Sequence, residues 1–377
     1  MTIPQATGRV HIVLLGVSAT PIGGYKVAYE YANALARLGT PVTVWHSHAL
    51  VGFHGSKFSW SRALRPAVGW WLRGAGVFWR KHGVPWFRFE PRVEVRATAW
   101  LPPVRSRQGD AILATAVETT PFVGRLGHKS GARTAALIQH FETWAEERSH
   151  ILHGWSQVDE RIVIAPWLQD LCDEAGMSSV YLPNALEVPA FPPGPLLEER
   201  PLRVLSLLSP HTYKRPDVVM AALTALIDDR RDVEAVAFGQ TARPDQLDGR
   251  IRYIQDPPHD TLTELYRSSR VYMCGSDAEG WHLPPAEASL SGAAVVSTDI
   301  GGVRASMSDD ALYAPPGDPQ ALAEQVMEAL DNPAAAQARV DRARKRLAST
   351  SYEDNAKRLQ GVLFPGTSSP QWLSTHL

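Results

Sequence analysis

The chain has 377 residues, of which 44% are apolar and 20% charged, and its formal net charge is -1 at pH 7. That length exceeds what one ordinary core organises and fits two α/β domains, while the balanced charge excludes both a global basic footprint for nucleic acid and an intrinsically disordered class. The two cysteines, Cys172 and Cys274, form no C-x-x-C pair, which excludes a disulfide framework or thiolate zinc site and suits a reducing compartment. The opening MTIPQATGRVHIVLLG lacks a charged segment followed by a long apolar run. No stretch of about 18 apolar residues follows. The expected location is therefore the cytoplasm.

Val10 to Gly16 (VHIVLLG) is a short continuous apolar run of the kind that forms a strand buried on both faces. Pro-Ile-Gly23-Gly24 follows as a turn, then apolar residues at 27, 31, 35 and 38 at helical spacing, a stop at Gly39 and a second strand from Pro41 to Trp45. This is a complete βαβ unit. Strand patterns recur at 93–99, 111–116 and 134–140, with helical patterns after 155. Residues 187–201 hold five prolines and a glycine without periodicity, the composition of an exposed connection, so the first domain is placed at 1–186.

The alternation restarts with strands at 203–208, 233–238, 251–254, 271–274 and 293–298, and helices at 216–228 and 259–268. Long helices are expected over 319–348. The second domain is placed at 187–362 and a tail at 363–377. Such alternation predicts parallel sheets with helices on both faces.

Residues 57–88 contain seven Lys or Arg, five Trp and no acidic residue. Basic charge interleaved with Trp is the composition of an interfacial helix, so this segment is expected either to make peripheral membrane contact or to be a helical insertion packing its Trp residues.

The chemistry concentrates in Ser276-Asp-Ala-Glu279-Gly-Trp-His-Leu-Pro-Pro-Ala-Glu287, placed between a strand's carboxyl end and a helix start, where open α/β sheets bind ligands. Two carboxylates eight residues apart can both project into that crevice and accept bonds from vicinal hydroxyls of a ribose or a hexose. Backbone N–H groups near Leu283 can receive a diphosphate. Lys214-Arg215 occupies the first strand-to-helix connection of the second domain, and His140 and Glu142 lie just past a strand end in the first. No Asp-x-Asp triplet is present to hold a divalent ion, and no metal is expected.

The string E-G-W-H-L-P-P-A-E-A, followed by G-A-A-V-V-S-T-D-I-G-G, resembles the E-x7-E segment of the retaining glycosyltransferases of family 4. The resemblance covers most of the second domain and the first βαβ unit. It implies a GT-B fold, two Rossmann-like domains with parallel sheets facing a central cleft, and metal-independent transfer of a hexose or deoxyhexose from a nucleoside-diphosphate sugar. The acceptor it implies is a glycan, a lipid-linked group or a small molecule, with no nucleic acid involved. Residue by residue it implies that Glu279 holds the transferred sugar, Glu287 the ribose and the Leu283 backbone the phosphates. Trp281 and His282 fall in the donor pocket, and Gly23-Gly24 resembles the family's opening turn.

Lys214 matches the family's phosphate lysine. Ser209 stands where an arginine is usual, and Arg215 and His282 stand where glycine is usual, so Arg215 is expected either to replace that missing cation at the donor or to point to solvent. His140 matches a histidine that contacts sugar, and the wording Q-H-F-E-x-W is similar to rhamnosyltransferase-like members. Three alternatives stay open at this point: an epimerase, a phosphorylase, and a non-catalytic sugar-nucleotide-binding or scaffold protein.

Overall fold

The computed structural model describes residues 8–54, 57–60, 63–64 and 84–366. The chain divides into two compact units, Met1–Pro183 with Tyr352–Leu377, and Asn184–Ser351. Most of the segment 57–88 lies outside the described residues.

The first unit has strands β1 (Val10–Leu15), β2 (Val42–Ser47), β5 (Val93–Thr98), β6 (Ala111–Ala114), β7 (Arg133–Ile138), β8 (Glu160–Val163) and β9 (Val180–Tyr181); the short β3 (Phe53–His54) and β4 (Lys57–Phe58) pair antiparallel beside them. The sheet order is β5-β2-β1-β6-β7-β8-β9, parallel throughout. The apolar run of β1 is buried between β2 and β6, as a strand covered on both faces must be. Strand order reverses between β1 and β6, the topological switch point of such a sheet.

Helix α1 (Gly23–Arg37) buries every residue from Val27 to Ala36, more than one face, because it is covered on two sides. One cover is the sheet and the other is the C-terminal helix Tyr352–Leu363. Tyr31 and Tyr352 meet edge to face at 5.6 Å, Asn355 Nδ2 donates to Pro183 O at 2.6 Å, and Gln360 Nε2 donates to Thr40 Oγ1 at 2.8 Å. The helix that the sequence places at the end of the second domain thus packs in the first unit. The pattern after 155 also differs from expectation. A helix ends at Ser156, the four-residue strand β8 follows, and a further helix starts at Pro166, each too short for periodicity to resolve.

The second unit is a six-stranded parallel sheet, ordered β12-β11-β10-β13-β14-β15. Its strands are β10 (Arg203–Leu207), β11 (Glu234–Gly239), β12 (Arg252–Gln255), β13 (Val271–Cys274), β14 (Ala294–Thr298) and β15 (Leu312–Ala314). Apolar residues of the helices Pro216–Asp229 and Pro319–Asp331 pack against the sheet in one core cluster that includes Val218, Leu223, Leu322 and Val326. The expected helical stretch 319–348 is broken once. Pro333 pushes Asn332 out of helical geometry, to φ -117 and ψ 60, and starts the next helix, Pro333–Ala348. Both units are Rossmann-like, the fold class expected of a GT-B chain. The second unit's switch point falls between β10 and β13.

Candidate functional site

In the second unit, the connection after β10 and the connection after β13 leave adjacent strands on the same side of the sheet, at the switch point. Asp277 N donates to Tyr213 O at 2.8 Å and ties the two connections together. A third contact comes from Gly302, in the helix Gly301–Met307 after β14: a Cβ there would lie 2.2 Å from Glu279 O. Only glycine allows this approach. The Gly-Gly at 301–302 is therefore part of the support for Glu279.

Glu279 is 8% exposed, and its Oε1 receives Lys214 Nζ at 2.7 Å and Ser276 Oγ at 2.9 Å. His282 Nε2 stands 3.5 Å from the same oxygen. Among the described residues, Oε2 accepts no hydrogen bond. One carboxylate oxygen is thus saturated by the protein, and the other keeps its acceptor capacity among the described residues. Burial works against the Glu279 charge, but the attraction of His282 and Lys214 and the hydrogen bonds from Lys214 and Ser276 together hold the carboxyl below its ordinary range. Burial likewise opposes the Lys214 charge, and the neighbouring Glu279 carboxylate outweighs it and raises the ammonium. The pair is charged at neutral pH.

Both residues that stand in place of glycine keep a glycine-like backbone. His282 has φ 59 and Arg215 has φ 46. For a residue with a Cβ this conformation costs roughly 1–2 kcal/mol. Their side chains go to different places. Arg215 turns to Asp277 and Asp217, at 2.9 and 2.7 Å, so its charge is already paired with two carboxylates. His282 turns inward, with Nδ1 3.3 Å from Cys274 Sγ. Burial pushes the Cys274 thiol up, and the His282 ring beside it brings it below its ordinary range.

Glu287 lies in the helix Leu283–Leu290 at 9% exposure, where Tyr266 OH approaches its Oε2 at 3.4 Å. Leu283 opens that helix. Pro284 and Pro285 behind it carry no N–H, so the first turn offers fewer donors to an anion than an ordinary helix start. The Trp281 side chain is buried, and its Nε1 finds no acceptor among the described residues.

In the first unit, Gly23 opens α1 at the carboxyl end of β1, beside that sheet's switch point, and its N-cap Ile22 has no side-chain acceptor to cap the helix. Gln139 Nε2, from the end of β7, donates to Gly24 O at 2.9 Å, and a Cβ at Gly24 would stand 3.4 Å from that amide. His140 follows Gln139 in the chain. Its ring packs edge to face on Trp144 at 4.5 Å and on Trp167 at 5.8 Å. Glu142 Oε2 accepts from Val117 N at 2.6 Å; burial first, and Glu118 second, push its carboxyl up to about 8. Ser276, Cys274, Gln139 and Gly302 are the neighbours that sequence reading passed over. Ser276, three residues before Glu279, and Gly302, the last residue of the G-A-A-V-V-S-T-D-I-G-G string, carried a local signal, but neither was given a role.

Among the described residues, no group of three His, Cys, Asp or Glu could hold a metal ion, and no helix is long and apolar enough to cross a membrane.

The two units define a GT-B scaffold, and comparison with known proteins agrees. Residues 202–332 match the family model described as "Glycosyl transferases group 1". Over 145 residues the chain is 28% identical to the phosphatidyl-myo-inositol mannosyltransferase of Mycolicibacterium smegmatis, covering 36% of this chain and 38% of that protein. The chain spans about a third of the length of the curated relatives it matches. Among solved structures, a sucrose-phosphate synthase from Thermosynechococcus elongatus has a TM-score of 0.69 at 14% identity, covering 94% of this chain and 98% of that one. Anabaena HepE in complex with UDP and glucose has a TM-score of 0.67 at 12% identity, covering 94% and 99%. At those identities the structures share the fold.

Proposed function

We propose that the protein is a retaining, metal-independent glycosyltransferase that moves a hexose or deoxyhexose from a nucleoside-diphosphate sugar to an acceptor hydroxyl of a glycan, lipid-linked or small molecule. One observation carries the reading: the buried Lys214–Glu279 pair at the switch point, with Glu279 Oε2 left open. The resemblance of the E-x7-E string, the family model over 202–332 and the mannosyltransferase relative support it.

In this reading Glu279 Oε2 accepts from hydroxyls of the transferred sugar, Glu287 from the ribose, and the Leu283 backbone lies toward the phosphates. Lys214 keeps one N–H on Glu279 and turns its remaining donors to the departing diphosphate. That group gains negative charge as the glycosidic bond breaks, so the cation acts on rate more than on ground-state binding. The acceptor hydroxyl attacks from the face that the diphosphate leaves, and the diphosphate takes its proton. The Gly23-Gly24 turn and His140 serve the first unit's share of the donor and acceptor. Residues 57–88 serve either as a basic, Trp-rich surface for a membrane or as an acceptor-side helical insertion, and Trp86, which packs on Tyr29 and donates to Ser18 O at 3.1 Å, favours the insertion.

A thermal-shift panel of UDP-glucose, GDP-mannose, dTDP-rhamnose and ADP-glucose, with and without magnesium, tests the reading. Saturation at a hundred times the dissociation constant stabilises the fold by about 2.7 kcal/mol. A shift with one base class, independent of magnesium, is expected, and E279Q is expected to keep most of the shift while losing turnover. No shift with any of the four overturns it.

A further inference from the structure

His282 is a strained residue whose strain glycine would remove. Its φ of 59 is open to glycine without cost, yet the position carries a side chain, buried to 3% exposure between two reactive groups. An outlier retained against an easy remedy points to what its side chain does.

We propose that His282 is a positioning residue for Glu279 in the transfer reaction: its ring, seated on Cys274, holds the carboxylate so that Oε2 faces the donor sugar. The inference rests on the function proposed above. The geometry is a short chain of contacts. Cys274 is the last residue of β13 and is fixed by the sheet, its Sγ lies 3.3 Å from His282 Nδ1, and His282 Nε2 lies 3.5 Å from Glu279 Oε1. Lys214 and Ser276 reach that same oxygen from two other directions. Three neighbours around Oε1 restrict rotation of the carboxylate about its last torsion, which is otherwise broad. Removing the ring opens one side of this cage and lets Oε2 swing away from the sugar. The nucleotide does not touch Glu279 in this scheme, so its affinity stays.

The test uses the full chain and the variants H282G and H282N, with melting temperature, release of nucleoside diphosphate from the same four donors, and affinity for the free diphosphates as readouts. H282G relieves the backbone strain but leaves the space of a buried ring, so its melting temperature is expected to stay near that of the wild type rather than to fall with activity. Its kcat is expected to fall about tenfold to a hundredfold, the scale of a displaced reacting group, with affinity for free diphosphate unchanged. H282N, which tolerates positive φ and returns a polar side chain, recovers part of the loss. Wild-type kcat and KM in H282G would overturn the inference alone, as would a loss shared equally by diphosphate affinity and stability, the mark of a structural role. A wild type that binds and turns over none of the four donors would overturn the glycosyl-transfer reading and this inference with it.

Discussion

Lys214 Nζ lies 2.7 Å from Glu279 Oε1 although 65 residues separate them along the chain. Both side chains are largely buried, at 19% and 8% exposure, so each charge depends on the other. Removing one partner leaves a buried charge unpaired, which costs about 3–5 kcal/mol, whereas removing both does not. K214M is therefore expected to lose that order of stability, and K214M/E279Q to recover most of it while staying inactive. Denaturant melts of the two variants, with diphosphate release at saturating donor, check this. In the proposed reaction K214M also lowers kcat by about 10²–10³.

Gly302 supports the same carboxylate through its backbone. The Cβ of G302A would sit 2.2 Å from Glu279 O and 2.5 Å from its carbonyl carbon, so the backbone of one connection must move. A lower melting temperature and a fall in kcat are expected together. G249A, at a position with nothing within 4 Å, is the control that should change neither.

Glu142 introduces a pH dependence in the first unit. Its carboxyl is raised from an ordinary 4.5 to about 8, by burial first and by Glu118 second. The folded state therefore keeps a proton that the unfolded chain releases. The stabilisation is full below about pH 4.5 and is lost as pH rises through about 8. E142Q, which imitates the protonated form and can still accept from Val117 N, should flatten the melting temperature across this window and gain on the wild type at its alkaline end.

The C-terminal helix belongs energetically to the first unit. N355A leaves Pro183 O without the 2.6 Å bond it accepts, at a cost of about 1–3 kcal/mol. Ending the chain after Ser351 is expected to cost more, because it uncovers the fully buried Tyr31 and removes the bonds to Pro183, Tyr181 and Thr40. Urea unfolding of the two variants should rank them in that order.

Much of this molecule is legible in the amino-acid sequence, because strand runs, helical spacing and turn glycines depend on neighbours a few residues away. VHIVLL, the α1 pattern and the restart at 203 each predict their element, and Glu279, Glu287 and Lys214 stand out by spacing in their connections. Three things were decided only by the tertiary structure. The helix Tyr352–Leu363 joins the first unit rather than the second, since an amphipathic stripe says that a helix is covered but not by what. Arg215 and His282 share a positive φ but send one side chain to surface carboxylates and the other into the site. Glu279 meets Lys214 because β10 and β13 are neighbours in a sheet whose order is not the chain order. Local periodicity is a short-range property, whereas partner choice follows from which strands pair, and that is set by the packing of the whole unit.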